Sequence, residues 1–434
     1  MNDLHEMSSI AREAFYQLSV SSAKIRNKTL LRLSDALKMR SDEIFSANAL
    51  DMQRSEKDHL PPPLLQRLKF GTEKLKAVCD GLESLALLPD PIGACTLSTE
   101  ITEGLKLYRV VCPIGVIGVI FESRPDALIQ ISSLCIKSGN AVLLKGGSEA
   151  TQTNHVLTDI VRSTLSDCGL PEGAVQLLET REDVASMLKE DELIDLIIPR
   201  GSNAFVRYIM SNSKIPVLGH SDGICHVYID RDADPEKALR VTIDSKTQNV
   251  SVCNAAETLL IHNEIAPAVL PSLAAALREK GVRILGDQST RRIIDCETAS
   301  ESDWSTEYLD YIISIKIVDS LEEAISHINH YGSHHTDCIV TENKDSAAAF
   351  LNLVDSAGVY LNASTRFADG FVYGFGAEVG IATGKLHARG PMGLDGLTTY
   401  KYMLIGAGHT LDDLKSGKCI FTHRPLSADE KHPL

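Results

Sequence analysis

The sequence is poor in the features that mark several protein classes. Aromatic residues make up only 5% of its 434 residues, and Trp304 is the single tryptophan. No apolar run approaches the ~20 residues needed to span a bilayer. The opening run Met1-Asn2-Asp3-Leu4-His5-Glu6 is polar and charged, so no secretory signal is expected there. Positive charge is in deficit: the formal net charge is −15. That argues against nucleic acid or an anionic membrane as partner, although a local basic pocket stays compatible with it. The ten cysteines form no C-x-x-C pair and no metal-ligand spacing, so neither a metal site nor a disulfide framework is implied. Scattered free thiols fit a reducing cytosol, and the expected location is the cytoplasm. Low-complexity segments and internal repeats are also missing.

What is present is a globular α/β pattern. Apolar residues reach 44%, ample for a core, and the length suggests roughly two or three domains at ~150 residues each. Residues 1–55 read as helices, with Leu30, Leu33, Leu37 and Ile44 near helical spacing. Pro61-Pro62-Pro63 breaks that pattern, a second amphipathic segment covers 64–87, and 101–111 reads as an extended arm. Strands are then expected at 116–121, 141–145, 174–178, 193–198 and 226–229, with helices at 126–137 and 149–165 between them. Beyond residue 253 the alternation restarts. Strands are expected at 258–261, 313–318, 337–340 and 359–361, helices at 266–279, 321–328 and 346–354, and a last strand at 400–405. Strand and helix in repeating order imply parallel sheets covered by helices, with ligands at the carboxyl ends of the strands.

Six polar stretches interrupt this pattern with chemistry. Cys253 lies in a small, irregular run, Val250-Ser251-Val252-Cys253-Asn254, that opens onto the strand at 258–261. A cysteine on a loop beside a strand end is placed as a nucleophile would be, whereas a buried structural thiol is the plainer alternative. Lys145-Gly146-Gly147-Ser148-Glu149 follows a strand and precedes a helix, where free N–H groups attract anions. It is neither a Walker loop nor a G-x-G-x-x-G fingerprint, and an ordinary turn with a solvated lysine would look the same. Arg200-Gly201-Ser202-Asn203 repeats the geometry, and two such turns in one sheet favour a dinucleotide site. Glu122 and Arg124 sit between a strand and a helix begun by Pro125, facing an anion or pairing locally. Asn362, Ser364, Thr365 and Arg366 offer an amide, two hydroxyls and a guanidinium, a set suited to a carboxylate or to a hydrogen-bonded turn. The run from Leu386 to Gly393 is basic and glycine-rich, and binds phosphate or locks an interface.

Several of these runs together resemble the γ-glutamyl phosphate reductases, a family within the aldehyde dehydrogenase superfamily. They are 112–127 (with Phe121-Glu122-Ser123-Arg124-Pro125), 216–228 (with Leu218-Gly219-His220-Ser221-Asp222-Gly223), Ser251-Val252-Cys253-Asn254, Asn362-Ala363-Ser364-Thr365-Arg366-Phe367, and 385–402. The resemblance extends over essentially the whole chain. It implies an aldehyde dehydrogenase-like fold, with two parallel-sheet α/β domains and a small oligomerisation arm. Residues 1–97 and 112–228 would form an NADP-binding domain, 229–384 the catalytic domain, and 98–111 with 394–434 the arm and C-terminal segment. It further implies NADPH-dependent reduction of L-glutamate 5-phosphate to L-glutamate 5-semialdehyde, the second step of proline biosynthesis. No fused glutamate kinase domain is expected, a transient contact with that kinase is compatible, and the chain would be a homodimer or homotetramer.

Residue by residue, Cys253 matches the nucleophile. Lys145 matches the lysine that faces the adenosine ribose and the 2′-phosphate of NADP, with Gly146 and Ser148 beside it. Gly201 and Ser202 match the turn near the cofactor pyrophosphate, and Glu307 the glutamate that holds the nicotinamide ribose. Asn362, Ser364, Arg366 and His220 are expected to bind substrate. Two departures from ordinary aldehyde dehydrogenases stand out. Their general-base glutamate falls at Val217, and their oxyanion-hole asparagine falls at Arg124. A hydrolytic enzyme needs a base to activate water, so both departures favour phosphate exchange over hydrolysis. The alternatives are a phosphate-independent NAD(P)-dependent aldehyde dehydrogenase and a non-catalytic binding protein on the same fold.

Overall fold

The computed structural model describes residues 3–122, 124–179, 181–219 and 222–427. Five helices lead the chain: Asp3–Leu18, Ala23–Met39, Ser41–Lys57, Pro62–Leu68 and Thr72–Leu87. The segment expected as one helix over 64–87 is therefore two. Phe70, 2% exposed, drops into the core between them, and its backbone N–H donates to Asn48 Oδ1 at 2.8 Å. Burying that ring requires the chain to leave helical geometry for a few residues.

Strands β1 (Cys95–Thr102) and β2 (Leu105–Pro113) form an antiparallel hairpin where a single arm was expected at 101–111. Gly104, at φ +77°, supplies the left-handed turn that closes it. Next come β3 (Val116–Ile120), β4 (Ala141–Lys145), β5 (Val175–Leu178) and β6 (Leu196–Pro199). They make a parallel sheet in the order β5-β4-β3-β6. Every residue of β3, β4 and β6 is buried, as expected for strands covered on both faces.

A second parallel sheet follows, built from β7 (Cys225–Ile229), β8 (Ala256–His262), β9 (Arg283–Gly286), β10 (Glu297–Thr298), β11 (Ile312–Val318), β12 (Thr336–Val340) and β13 (Gly358–Leu361). Its order is β10-β9-β11-β8-β7-β12-β13. Here the boundary read from the sequence needs correction. A cofactor domain running to residue 228 would contain most of β7, yet β7 pairs with β8 and β12. Two short strands, β14 (Ile381–Ala382) and β15 (Gly390–Pro391), pair with each other. Then β16 (Thr398–Ile405) and β17 (Arg424–Pro425) flank the hairpin, giving the antiparallel order β16-β2-β1-β17.

The sheets meet the candidate site in opposite senses. Arg124, Lys145 and Arg200 stand at or just beyond the carboxyl ends of β3, β4 and β6. Gly223, Cys253 and His335 stand just before the amino ends of β7, β8 and β12. The candidate residues thus lie at the carboxyl ends of the first sheet, as expected, and at the amino ends of the second. Among the described residues, no helix is long and apolar enough to cross a membrane.

Candidate active site

The loop that carries Cys253 is held from all sides. It leaves the helix Pro235–Thr247 and enters β8. On one side, Asn254 Nδ2 donates to the Ala368 carbonyl at 2.9 Å, and Thr365 Oγ1 donates to the Asn254 carbonyl at 2.7 Å. Behind it, Lys246 Nζ meets Glu257 Oε2 at 2.6 Å, with both side chains fully buried, so an ion pair ties the two ends of the loop together. Cys253 itself is partly exposed. Its Sγ lies 3.2 Å from Nε2 of His335, a buried residue immediately before β12.

Gly223 explains why a residue without a side chain stands before β7. A Cβ there would lie 2.3 Å from the Cys253 carbonyl oxygen and 2.4 Å from its Cα. Those are backbone atoms and cannot swing aside. Gly223→Ala is therefore expected to push the Cys253 thiol off its position. A displacement of about 1 Å costs on the order of 100-fold in rate, so kcat should fall by about that factor with cofactor affinity kept. Steady-state kinetics alongside a binding titration would check this.

Guanidinium groups converge on the same place. Arg200 is half-buried, and burial is the largest cause holding its pKa down. Repulsion from Arg124 adds to this, while Glu378, Asp126 and Cys253 oppose it. Arg366 is lowered chiefly by burial and also feels Cys253; its Nε donates to Gln248 Oε1 at 2.9 Å. Arg67, from the helix Pro62–Leu68, is lowered by burial and then by Arg124. Like charges that repel one another favour an anion between them. In a chain of net charge −15, this is the local basic pocket that the composition permitted. Arg67 and Arg200 were not singled out as site residues from the sequence. Arg200 was legible only as the first residue of its turn.

The expected substrate residues divide. Arg366 reaches the site. Asn362 does not: its Oδ1 accepts from Thr341 N at 3.0 Å and its Nδ2 donates to the Thr341 carbonyl at 2.9 Å. The amide is occupied by backbone at the end of β12 opposite His335. Ser364 is buried, contacts Ser245 Oγ at 3.2 Å and accepts from Arg366 N at 3.3 Å. It fixes the turn rather than facing a ligand. His220 lies outside the described residues. Val217, where the superfamily's base glutamate would fall, pairs its backbone with Ile197 of β6 and brings no carboxylate.

The cofactor candidates lie around the first sheet. Lys145 is buried at the end of β4, with its Nζ 2.5 Å from the Gly146 carbonyl. A Cβ on Gly146 would stand 2.3 Å from Asn154 Nδ2, so that turn admits only glycine while Asn154 stays in place. Arg54 donates to the Ser148 carbonyl and pairs with Asp51 at 3.3 Å. A groove lined by Gly146, Ser148, Thr151, Asn154, Leu178 and Glu179 opens there. Ser202 caps the helix Asn203–Asn212 by accepting from Phe205 N, directly after Gly201. Asn203 then donates to Asp222 Oδ1 at 2.9 Å and to Glu307 Oε2 at 2.7 Å. That bond brings Glu307, more than a hundred residues away in sequence, to the Gly201-Ser202 turn. A glycine cradle and a helix start fit the phosphates of a dinucleotide.

Comparison with known proteins decides the family. The profile of the aldehyde dehydrogenase family matches residues 1–291. A γ-glutamyl phosphate reductase of Acetivibrio thermocellus is 57% identical over 424 residues, 98% of each chain. One from Synechocystis is 53% identical over 98% of this chain and 99% of its own. The chain belongs to the γ-glutamyl phosphate reductase branch of the aldehyde dehydrogenase family. It is accordingly an oxidoreductase. The crystal structure of the Thermotoga maritima γ-glutamyl phosphate reductase superposes with a TM-score of 0.93 at 40% identity, covering 94% of this chain and all of that one. A propionaldehyde dehydrogenase from Rhodopseudomonas palustris, 15% identical with a TM-score of 0.66, shares the fold.

Besides Arg67 and Arg200, the sequence reading missed His335, which stands beside Cys253. Its signal was a polar, titratable run, Ser333-His334-His335-Thr336-Asp337, directly ahead of an apolar strand.

Proposed function

We propose that the chain reduces L-glutamate 5-phosphate to L-glutamate 5-semialdehyde with NADPH, releasing phosphate by way of a thioester on Cys253. This is the second step of proline biosynthesis. The observation that carries the reading is a partly exposed thiol beside Arg200 and Arg366, where the superfamily's water-activating glutamate is replaced by Val217. An acyl phosphate needs an anion site and gains nothing from an activated water. The relatives named as γ-glutamyl phosphate reductases support the choice of substrate.

In this mechanism Cys253 Sγ attacks the γ-carbonyl carbon. Arg124 and Arg200 hold the phosphate and the developing oxyanion, and phosphate departs with the electron pair of the C–O bond. Arg366 holds the substrate's α-carboxylate. The nicotinamide, when bound, supplies the hydride that reduces the thioester carbon. Lys145, Arg54 and Ser148 would hold the cofactor's 2′-phosphate, Gly201 and Ser202 its pyrophosphate, and Glu307 its nicotinamide ribose. The pair of steps, substitution then reduction, is the usual advantage of a covalent nucleophile.

In this reading the four-stranded parallel sheet serves the cofactor and the seven-stranded sheet the nucleophile. The antiparallel arm joins copies into a homo-oligomer through β16, whose Tyr400, Tyr402 and Leu404 are exposed. Ten unpaired cysteines suit the cytoplasm, where glutamate kinase would hand over its unstable product. The test runs the reaction backward: NADP reduction by glutamate semialdehyde at varied phosphate. The reading requires a rate that vanishes without phosphate. A rate independent of phosphate would make the chain a hydrolytic dehydrogenase and remove the role given to the arginines.

A further inference from the structure

We propose that His335 is the acid–base partner of Cys253. Three observations combine. His335 Nε2 stands 3.2 Å from Cys253 Sγ, within hydrogen-bond range of a thiol. Its Nδ1 stands 2.9 Å from Thr336 Oγ1, so a third group orients the ring. His335 is 1% exposed and Thr336 2%, whereas Cys253 is partly open. The imidazole therefore sits behind the thiol, on the side shielded from water, and the substrate approaches the other face. A nucleophile in reach of a base that is itself oriented by a third residue is the general arrangement of covalent catalysis.

The tautomer follows from the chemistry. With Nδ1–H donating to Thr336 Oγ1, Nε2 presents its lone pair to the thiol. As Sγ bonds to the acyl carbon, Nε2 takes the thiol proton. The C–O bond to phosphate breaks, its electron pair leaves with phosphate, and solvent supplies the proton that phosphate gains. After reduction the C–S bond breaks with its electron pair returning to sulfur, and Nε2 gives the proton back. The histidine ends each turnover as it began.

The inference rests on the proposed thioester route, but its test does not need substrate. The probe is iodoacetamide, with the alkylation rate of each cysteine followed by peptide mass analysis in the full-length protein. The charged and titratable groups around the pair are Cys225 on β7, Asp337 on β12, Glu257 on β8, and Arg200 and Arg366 from the neighbouring turns. All are kept in the variants. His335→Gln is expected to slow Cys253 alkylation about 10- to 100-fold at neutral pH, and the rates should converge near pH 10, where a thiol ionises unaided. Thr336→Val, which removes only the orienting hydroxyl, should slow it less and in the same sense, and serves if the glutamine variant does not fold. Thermal midpoints and NADPH affinity should be unchanged. Equal alkylation in wild type and variants, or a deficit that persists at high pH, would overturn the proposal. If alkylation falls as expected while wild-type turnover proves independent of phosphate, the pair stands and the phosphate reading fails.

Discussion

Cys253→Ala is expected to lower turnover by on the order of 10⁴-fold or more while leaving NADPH affinity unchanged, as for loss of other covalent nucleophiles. The two halves of that expectation come from different sheets. The thiol stands before β8, whereas the groove beside Lys145, Gly146 and Ser148 opens at the carboxyl ends of β4 and β5. Removing one sulfur leaves the groove intact. Steady-state rates with a fluorescence titration of NADPH separate the effects, and turnover above about one part in a hundred would rule out the thioester. Thiol chemistry gives an independent view. Cys135 and Cys338 are pushed up to about 12 by burial, and Cys225 well above the ordinary thiol range by the same cause. Cys79, Cys112 and Cys296 are raised as well, again chiefly by burial. Cys253 should therefore alkylate faster than these six at neutral pH, and the alanine variant should lose that fast-reacting group.

Much of this architecture could be read from the sequence because it is local. Strands such as β3, β4 and β8 are buried along their whole length, so an apolar run of the right size announces them. The turns after β4 and β6 carry their glycines beside their cations in one stretch. What escaped was tertiary or ran against the usual pattern. The helix Pro235–Thr247 buries Thr242, Ser245 and Lys246 beside Ala238, so polar residues interrupt its inward face. Asn362 has the composition of a ligand group, but which partner claims its amide depends on β12 lying alongside. His335 is 82 residues from Cys253, and Glu307 is 104 from Asn203. No periodicity reports on such pairs. The arginines illustrate a mixed case: Arg124 and Arg366 were recognised from their turns, but the repulsion that Arg67 and Arg200 feel from Arg124 is tertiary.

The buried pair of Lys246 and Glu257 is the clearest of these tertiary features, and Lys246→Met is expected to be among the most destabilising single changes. Both side chains are fully buried at 2.6 Å. Removing the lysine leaves a carboxylate with no counter-charge in the core, which costs about 3–5 kcal/mol. The double variant Lys246→Met with Glu257→Leu removes both charges and should recover most of that loss, because desolvation roughly cancels the attraction in such pairs. Thermal midpoints of the three proteins test this; a double variant as unstable as the single one would mean that the pair has packing roles no apolar residue replaces. The pH dependence gives a sharper check. Burial pushes Glu257 up to about 7 from the ordinary 4.5, despite the opposing pull of Lys246, and burial likewise lowers Lys246. A carboxyl raised on folding contributes fully below about 4.5 and loses that contribution as the pH rises through about 7. A lowered lysine contributes above its unfolded value and loses that contribution as the pH falls through its folded one. Between these limits both groups oppose folding, so the double variant should gain on wild type as the pH goes from about 5 to about 7. Because the pair closes the loop that carries Cys253, the double variant also separates stability from positioning. If it regains its thermal midpoint but not its turnover, the function of the pair is to hold the loop at the place where Gly223, His335 and the arginines meet the thiol.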